Sequence, residues 1–274
     1  MNYLHAAVAG AGLLAGWALL ENTAMLRVRR YSVRLPAFPR TAVIADLHKR
    51  EFCKGNCRLA ERVASLHPAL ILIAGDLISR TVRDFSGTES LVRRLTDIAP
   101  VLAIPGNHEA DLPAQQYAEF RSCLERAGVT LLENSRVTVN GLAFAGLYLP
   151  REYYRGGGRF GYVGKQTCTA DTLRELLGDC GENTVLLAHN PLFFPAYAQW
   201  GAALTVAGHI HGGAVRLPAV GGLLSPERRF FPKYDRGSFT DGTHRMIVSG
   251  GLGKLRLFNP PEILLLTPED GATA

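Results

Sequence analysis

Several features that mark specialised classes of protein are missing from this 274-residue sequence. It contains no internal repeat, no low-complexity tract and no recognisable linker. Its hydrophobic fraction of 47% and charged fraction of 20% are those of a globular protein with a full core, which excludes intrinsic disorder. The length suits one large α/β domain better than two small ones.

Cysteine is scarce, and the spacing of the cysteines matches no known disulfide pattern. The five cysteines are Cys53, Cys57, Cys123, Cys168 and Cys180. They form no disulfide framework, which predicts reduced thiols in the cytoplasm. Cys53 and Cys57 lie close together, but no second Cys or His pair stands at zinc-site spacing from them, so we do not expect a thiolate metal site.

Concentrated positive charge is also missing. The chain has 30 Lys and Arg against 24 Asp and Glu, a net charge of +6, and nearly all the cations are arginines. They are spread along the chain without the basic stripe and interleaved aromatics of a nucleic-acid surface, so no nucleic-acid partner is expected. Arginine suits contact with phosphate, which favours an anionic substrate or a membrane surface, although an arginine-rich genome would give the same bias.

Charged residues are absent from residues 3–20, an alanine-, glycine- and leucine-rich run. As a helix this run would span roughly 27 Å against a bilayer core of about 30 Å, and no Lys or Arg precedes it as a signal peptide requires. We predict that residues 1–24 are a membrane anchor, with a packed hydrophobic helix as the alternative. The arginines that follow place the domain of residues 25–274 at the cytoplasmic face. They are Arg27, Arg29, Arg30 and Arg34.

Five short apolar runs each lead into polar residues. Each run has the length of a strand, is bounded by Gly or Pro, and is followed by Asp, His or Asn. The polar residues are Asp46 and His48, Asp76, Asn107 with His108 and Glu109, His189, and His209 with His211.

The order of these runs predicts the fold. The first three alternate with helical patterns at Cys57–Leu66 and Glu89–Ile98, which indicates a sheet of parallel strands. The carboxyl ends of such strands share one edge, so their polar residues converge there. The Asn140-Gly141 hairpin signal indicates a second, more antiparallel sheet packed on the first.

Five of the eight histidines lie at these strand ends, beside two aspartates and an asparagine. Imidazole, carboxylate and amide together suit Mn²⁺, Fe²⁺ or Zn²⁺, with Mg²⁺ less favoured. The donors are too many for one tetrahedral site, so we expect two divalent ions bridged by a carboxylate.

With these blocks in place, the sequence resembles the calcineurin-like metallophosphoesterases over about residues 41–211. The matching blocks are Asp46-x-His48, Gly75-Asp76, Gly106-Asn107-His108-Glu109, His189 and Gly208-His209-x-His211. The resemblance implies a four-layer α/β/β/α sandwich of two mixed sheets. It implies one metal held by Asp46, His48, Asp76 and His211, and a second held by Asp76, Asn107, His189 and His209.

The same resemblance implies hydrolysis of a phosphodiester or pyrophosphate bond by a hydroxide that bridges the two ions, with His108 as proton donor. Glu109 either orients His108 or supplies an acidic first turn to the next helix; we favour the second role. A non-catalytic metal-binding module on the same fold and a nuclease are the alternatives.

The residues that flank the five blocks resemble those of small bacterial membrane-anchored phosphodiesterases. Within these, the sequence is most similar to a subgroup like the UDP-diacylglucosamine hydrolases. The carrying motifs are His189–Pro191, Gly208–Gly213 and Gly251–Glu262. A lipid-linked substrate is therefore expected. Tyr153–Tyr162 lacks the pattern of a phosphate-cradling loop and indicates a mobile loop near the site. For substrate contacts we single out Arg155, Arg159 and Trp200.

Overall fold

The computed structural model describes residues 2–154, 166–213, 215–217, 220–225, 230–254 and 256–269. Within these ranges the α-helices are α1 (Asn2–Thr23), α2 (Cys57–Ala64), α3 (Ser86–Thr96), α4 (Asn107–Ala110), α5 (Ala114–Arg126), α6 (Ala170–Leu177) and α7 (Phe194–Trp200).

The strands of the first half of the chain are β1 (Arg27–Val33), β2 (Thr41–Ile44), β3 (Leu70–Ala74), β4 (Val101–Ile104), β5 (Thr130–Leu131), β6 (Ser135–Val139) and β7 (Leu142–Leu147). Those of the second half are β8 (Val185–Ala188), β9 (Leu204–Ala207), β10 (Arg216–Leu217), β11 (Gly221–Gly222), β12 (Gly237–Asp241), β13 (His244–Val248) and β14 (Glu262–Pro268).

The first sheet has the order β1-β14-β2-β3-β4-β5. The predicted strand–helix–strand units are confirmed, because β2, β3 and β4 are parallel neighbours joined through α2 and α3. Their apolar runs are buried along their whole length, as strands covered on both faces must be. Only β14 runs antiparallel to its neighbour β2.

The second sheet has the order β12-β13-β9-β8-β7-β6. The predicted hairpin is confirmed: β6 and β7 pair antiparallel, and both Asn140 and Gly141 have positive φ, as the tight two-residue turn requires. The sheet is more antiparallel than the first, as predicted, with two antiparallel strand pairs against one, although β7, β8, β9 and β13 in its middle are successive parallel neighbours. The hairpins lie only at the two edges.

Three apolar clusters divide the molecule into four layers. One packs α2, α3 and α5 against the first sheet, and another packs α6 and α7 against the second. The cluster between them joins the two sheets face to face, with side chains such as Leu72 and Val206. The predicted α/β fold of two packed mixed sheets is therefore observed.

Helix α1 has exposed apolar side chains on every side, with Tyr3 92% and Leu13 77% exposed. Among the residues described, however, no helix is both long and apolar enough to span a bilayer, so the predicted membrane-spanning anchor is not supported. The last turn of α1 is attached to the domain: Glu21 is buried and accepts hydrogen bonds from the backbone N–H groups of Phe258 and Asn259.

The expectation of reduced thiols is wrong for one pair, since a disulfide joins Cys53 to Cys57. Cys57 begins α2 while Cys53 lies in the loop before it, and their Cα atoms are 5.8 Å apart, within the range that a disulfide bridges. The other three cysteines are free, and Cys123 and Cys168 are buried.

The contact between the two sheets yields a stability prediction. A methyl group at Gly146 of β7 would overlap Leu132 and lie 2.9 Å from Ile104 on the opposite sheet. Gly146→Ala should therefore lower the free energy of unfolding by about 1–3 kcal/mol in urea titrations. Gly87→Ala in α3, where a methyl group meets nothing within 4 Å, is the matched control and should change stability by less than about 1 kcal/mol. Equal effects would contradict tight packing between the sheets.

Candidate metal centre

The carboxyl ends of strands from both sheets meet at one edge of the sandwich. Asp46, Asp76 and Asn107 follow β2, β3 and β4 of the first sheet, directly or within a few residues. His189 follows β8 of the second sheet, and His209 and His211 follow β9. The backbone N–H of His209 donates to both carboxylate oxygens of Asp46, which links the two sheets at this edge.

The side chains form two groups whose donor atoms lie within 4.8 Å of one another. The first contains Asp46, His48, Asp76 and His211, and the second contains Asp76, His189 and His209. The Asn107 amide adjoins the second group. The structure thus brings together all seven predicted metal ligands, in the two sets that the resemblance implies, with Asp76 common to both.

The backbone is held in an unfavourable conformation at five of these seven residues. Positive φ angles occur at Asp46, His48, Asp76, His209 and His211. Non-glycine residues adopt this region rarely and at a cost of about 1–3 kcal/mol each, and they persist chiefly at functional sites. The sheets therefore impose this geometry on the donor side chains.

Glycines let the donor loops approach one another. A methyl group at Gly106 would overlap Asp76, and one at Gly208 would lie 2.8 Å from Asp46 Oδ2. Gly208 stands directly before His209, as Gly75 does before Asp76 and Gly106 before Asn107. The Gly-Asp, Gly-Asn and Gly-His pairs of the sequence were therefore a signal of close packing as well as of turns.

The surroundings of Asn107 fit a cation in the second group. Its amide oxygen lies 2.8 Å from His209 Nδ1 and 3.2 Å from both His189 Nε2 and Asp76 Oδ2. His189 Nδ1 lies 2.8 Å from the carbonyl oxygen of Ala74, which assigns the proton to Nδ1 and leaves the Nε2 lone pair facing the group. In this orientation the amide oxygen faces three other acceptor atoms. Turning the amide by 180° would let its NH₂ donate to them, but a divalent cation between the four atoms would be coordinated by all of them without that turn.

The first group has the same character. His48 Nε2 lies 3.2 Å from His211 Nε2 and 3.8 Å from Asp76 Oδ2, while His211 Nε2 lies 3.4 Å from Asp46 Oδ1. His48 Nδ1 is buried and has no hydrogen-bond partner within the described ranges. Two imidazoles and two carboxylates suit an ion of intermediate hardness.

Burial and neighbouring charges shift the pKa values of the carboxylates and imidazoles in opposite directions. Burial raises the pKa of Asp46. It also opposes ionisation of Asp76, but the imidazoles of His189 and His108 outweigh it and hold the pKa of Asp76 well below its usual range. Burial likewise lowers the pKa of His189, yet Asp76 and Asp46 raise it to about 9. Without a metal, a proton is therefore held between His189 Nε2 and Asp76 Oδ2, which are 3.3 Å apart. A bound cation replaces that proton.

His108 lies beside both groups without belonging to either. Its Nδ1 accepts a hydrogen bond from the backbone N–H of Arg80 at 3.3 Å, which leaves the proton on Nε2. Nε2 lies 4.0 Å from Asp76 Oδ2, and the ring centroid lies 4.4 Å from that of His48. Burial lowers the pKa of His108 to about 3, so the imidazole is neutral and presents an N–H to the site.

Glu109 has a role that the sequence did not predict. Its side chain is buried and accepts backbone N–H bonds from Gly106 at 2.8 Å and from Asp76 and Ile78 at 3.0 Å. Burial, together with the charge of Asp76, raises the pKa of Glu109 to about 8. The favoured assignment is confirmed, since Glu109 is the acidic residue in the first turn of α4, but it missed that this carboxylate also joins the loop of Asp76 to the loop of Asn107.

The predicted substrate residues fare differently. Arg155 and Arg159 lie outside the described residues, as does most of the loop at 153–162. Trp200 is only 4% exposed, and its indole N–H donates to the carbonyl oxygen of Gly178 at 2.9 Å. It ends α7, which packs on the second sheet, so a substrate contact does not fit its position.

Other residues border the centre without having been predicted. Tyr154 is buried, with its ring centroid 5.4 Å from that of His209. The guanidinium of Arg80 lies 3.2 Å from the Asn107 amide and pairs with Asp111 at 2.8 Å. Arg256 donates to the carbonyl oxygen of His211 at 3.3 Å. Neither a tyrosine near a glycine-rich loop nor single arginines carry a spacing signal that would have identified them.

Comparison with known proteins agrees with this geometry. The family model for calcineurin-like phosphoesterases matches residues 39–213. Phosphodiesterase YaeI of Escherichia coli is 26% identical over 230 residues, covering 81% of this chain and 79% of YaeI. The metallophosphoesterase YkuE of Bacillus subtilis is 26% identical over 206 residues, covering 73% of this chain and 68% of YkuE.

A third relative and a solved structure extend these matches. F40B5.2 of Caenorhabditis elegans, also named as a metallophosphoesterase, is 29% identical over 82% of this chain, which spans only about half (47%) of that protein's length. The crystal structure of TT1561 of Thermus thermophilus has a TM-score of 0.51 at 12% identity, covering 78% of this chain and 89% of TT1561, and shows a shared fold. The likeness to UDP-diacylglucosamine hydrolases stays a prediction.

The three hydrogen bonds of Glu109 generate a prediction. Glu109→Gln keeps the shape of the side chain but replaces one acceptor oxygen with a donor that faces backbone N–H groups. Mn²⁺ affinity, measured by isothermal titration, should fall about 10–100-fold, because such supporting groups orient the ligands. Glu119→Gln on the exposed face of α5 is the control and should bind Mn²⁺ as the unaltered protein does. Equal affinities for both variants would refute the positioning role.

Proposed function

Because the chain belongs to the calcineurin-like phosphoesterase family and is therefore a metallophosphoesterase, we propose that it hydrolyses a phosphodiester or pyrophosphate bond at a binuclear centre. The observation that supports this most strongly is the position of Asp76. It is the one carboxylate common to both donor groups. Two divalent ions held by one shared carboxylate lie close enough to act on the same phosphoryl group.

Each donor has a place in this proposal. Asp46, His48 and His211 hold the first ion together with Asp76. Asn107, His189 and His209 hold the second ion, again with Asp76. When bound, the ions polarise the phosphoryl oxygens and lower the pKa of the attacking water. Mn²⁺, Fe²⁺ and Zn²⁺ suit these imidazole-rich sets, and Mg²⁺ suits them less.

His108 acts on the leaving group. Its Nε2–H faces the centre, because the backbone N–H of Arg80 occupies Nδ1. As a neutral imidazole it can donate a hydrogen bond from Nε2–H to the departing oxygen and stabilise the charge that develops there, while keeping its own proton. The guanidinium of Arg80 lies on the same side, where it contributes a positive charge toward the phosphate.

The non-catalytic alternative is less well supported. A binding module on this fold has no need of a complete donor set with an additional uncommitted imidazole. Here both donor groups are present, and the tautomer of His108 is fixed toward them. The nuclease alternative would require a basic groove, and the described residues around the centre do not form one.

We also propose that α1 contacts a membrane surface and that the substrate is lipid-linked. Val8, Leu13 and Leu19 of α1 are each more than 60% exposed, and residues 2–20 carry no charge. Exposed cations surround the base of the helix, among them Arg27 and Arg58. Apolar side chains above a cationic base suit the boundary of an anionic bilayer. The cytoplasmic side of that membrane is part of the same proposal.

Phosphodiester hydrolysis provides the first test of the function. With Mn²⁺, the protein should hydrolyse bis-p-nitrophenyl phosphate and lose this activity to a chelator. Asp76→Asn should abolish turnover and reduce the number of bound metals. His108→Ala should lower kcat by about 10²–10⁴-fold while two metals remain bound.

The exposed Asp97→Asn in the turn after α3 is the control for Asp76→Asn and should leave both activity and metal content unchanged. A protein that binds two metals and hydrolyses no mono- or diester would favour the binding module instead.

Helix α1 provides the second test. The intact protein should sediment with liposomes that contain anionic phospholipid, whereas a variant without residues 1–20 should remain in the supernatant. Glu21 and Asn22 are kept in this variant, because both bond to the segment at 256–259. An equal thermal midpoint for the two forms is the control for folding. Equal sedimentation of the two forms would exclude α1 as the contact.

A further inference from the structure

Exposed large apolar side chains occur in two places within the described residues. One is α1, and the other surrounds a cavity of about 520 Å³ between the paired strands β10 and β11 and the segment at 231–236, with Phe230 beside Phe231 but outside the cavity lining. Leu217, Val220, Phe231 and Phe258 line this cavity and are between 37% and 59% exposed. A soluble surface seldom concentrates its exposed apolar side chains in one concave site, and such a site marks a place of binding.

The backbone supports a binding role for the two aromatic residues. Phe231 has φ 51° and Phe258 has φ 58°, the left-handed region that bulky side chains rarely adopt. Both rings are nevertheless held partly in solvent instead of the core. Strained conformations of this kind are kept at ligand sites, where they aim a side chain at its target.

The cavity also carries positive charge. Arg216, Lys233 and Arg236 line it together with one acidic residue, Asp235. That carboxylate is already occupied, since Asp235 Oδ2 lies 2.5 Å from Arg216 and accepts the backbone N–H of Gly222 at 2.6 Å. The exposed ammonium of Lys233, 4.9 Å from the ring centroid of Tyr234, remains available to an anionic ligand.

The cavity adjoins the metal centre on one side and α1 on the other. Gly222 of its wall packs on Gly213, two residues after His211, so closely that a methyl group at Gly213 would lie 2.7 Å from Gly222 Cα. Arg216 donates to the carbonyl oxygen of Gly212 at 3.3 Å. On the opposite side, the ring of Phe258 lies 6.3 Å from that of Trp17 in α1. The cavity thus lies between α1 and the segment that follows His211.

We propose that this cavity binds the alkyl or acyl chain of an anionic amphiphile, with Phe231, Phe258 and Val220 against the chain and Lys233 against an adjoining phosphate. The inference rests on the proposed function, because it identifies the remote part of the phosphoester that the metal centre hydrolyses. It assigns substrate selection to the residues that line the cavity, at 216–217, 220–222, 231–233, 235–236 and 258.

The experiment separates chain binding from catalysis. Binding of decyl phosphate and of butyl phosphate to the full-length protein is measured by isothermal titration in EDTA, below the critical micelle concentration. Burial of the six additional methylenes should make the Kd of decyl phosphate at least about tenfold lower than that of butyl phosphate. Phe231→Ser should remove most of this difference. Lys233→Gln should raise the Kd of decyl phosphate and leave the Kd of decanol unchanged.

Val8→Ser, an equally exposed apolar position on α1, is the matched control and should bind decyl phosphate like the unaltered protein. Equal Kd values for the two phosphates, or an equal loss in Val8→Ser and Phe231→Ser, would overturn the proposal. Chain-dependent binding in EDTA without any hydrolysis after Mn²⁺ loading would refute the proposed function alone. Hydrolysis of short esters with no effect of chain length on binding would refute the cavity alone.

Discussion

The centre depends on one buried carboxylate, that of Asp76. It is only 1% exposed, is common to both donor groups, and accepts the backbone N–H of His108 at 2.8 Å. Its own backbone N–H is bound in turn by Glu109. Burying the carboxylates of Asp46 and Asp76 in one site costs free energy unless cations or imidazoles compensate their charges. The surrounding histidines, the strained loops and the glycines that permit close approach all serve this arrangement.

Much of the fold and of the centre could be predicted because both follow from local patterns. Short apolar runs that end in polar residues identify strands covered on both faces, and the ends of parallel strands necessarily meet at one edge. This rule placed the candidate residues at one edge, and the resemblance to calcineurin-like metallophosphoesterases chose the seven donors among them and divided them into two sets. The hairpin at Asn140-Gly141 was equally local, since its turn requires residues that tolerate positive φ.

What could not be predicted depends on contacts between distant segments. Glu109 looked like an ordinary helix-start residue, and its bonds to Asp76 and Ile78 arise only when two loops are brought together. Trp200 was predicted as a substrate contact, but the packing of α7 places it in the core. Composition suggested a membrane anchor at residues 1–24, but no helix among the described residues is long and apolar enough to span a bilayer. The aromatic cavity arises from segments with no shared motif.

One feature of the first sheet bears on the order in which the protein is made. β14, from the end of the sequence, lies between β1 and β2, and its Glu262 accepts the backbone N–H of Gly250 beside the centre. During synthesis, β2, β3 and β4 can pair as soon as they are made, but β1 has no partner until residues 262–268 leave the ribosome. The first sheet is therefore completed only after the segment of residues 46–211, which carries all seven donor residues, has been made.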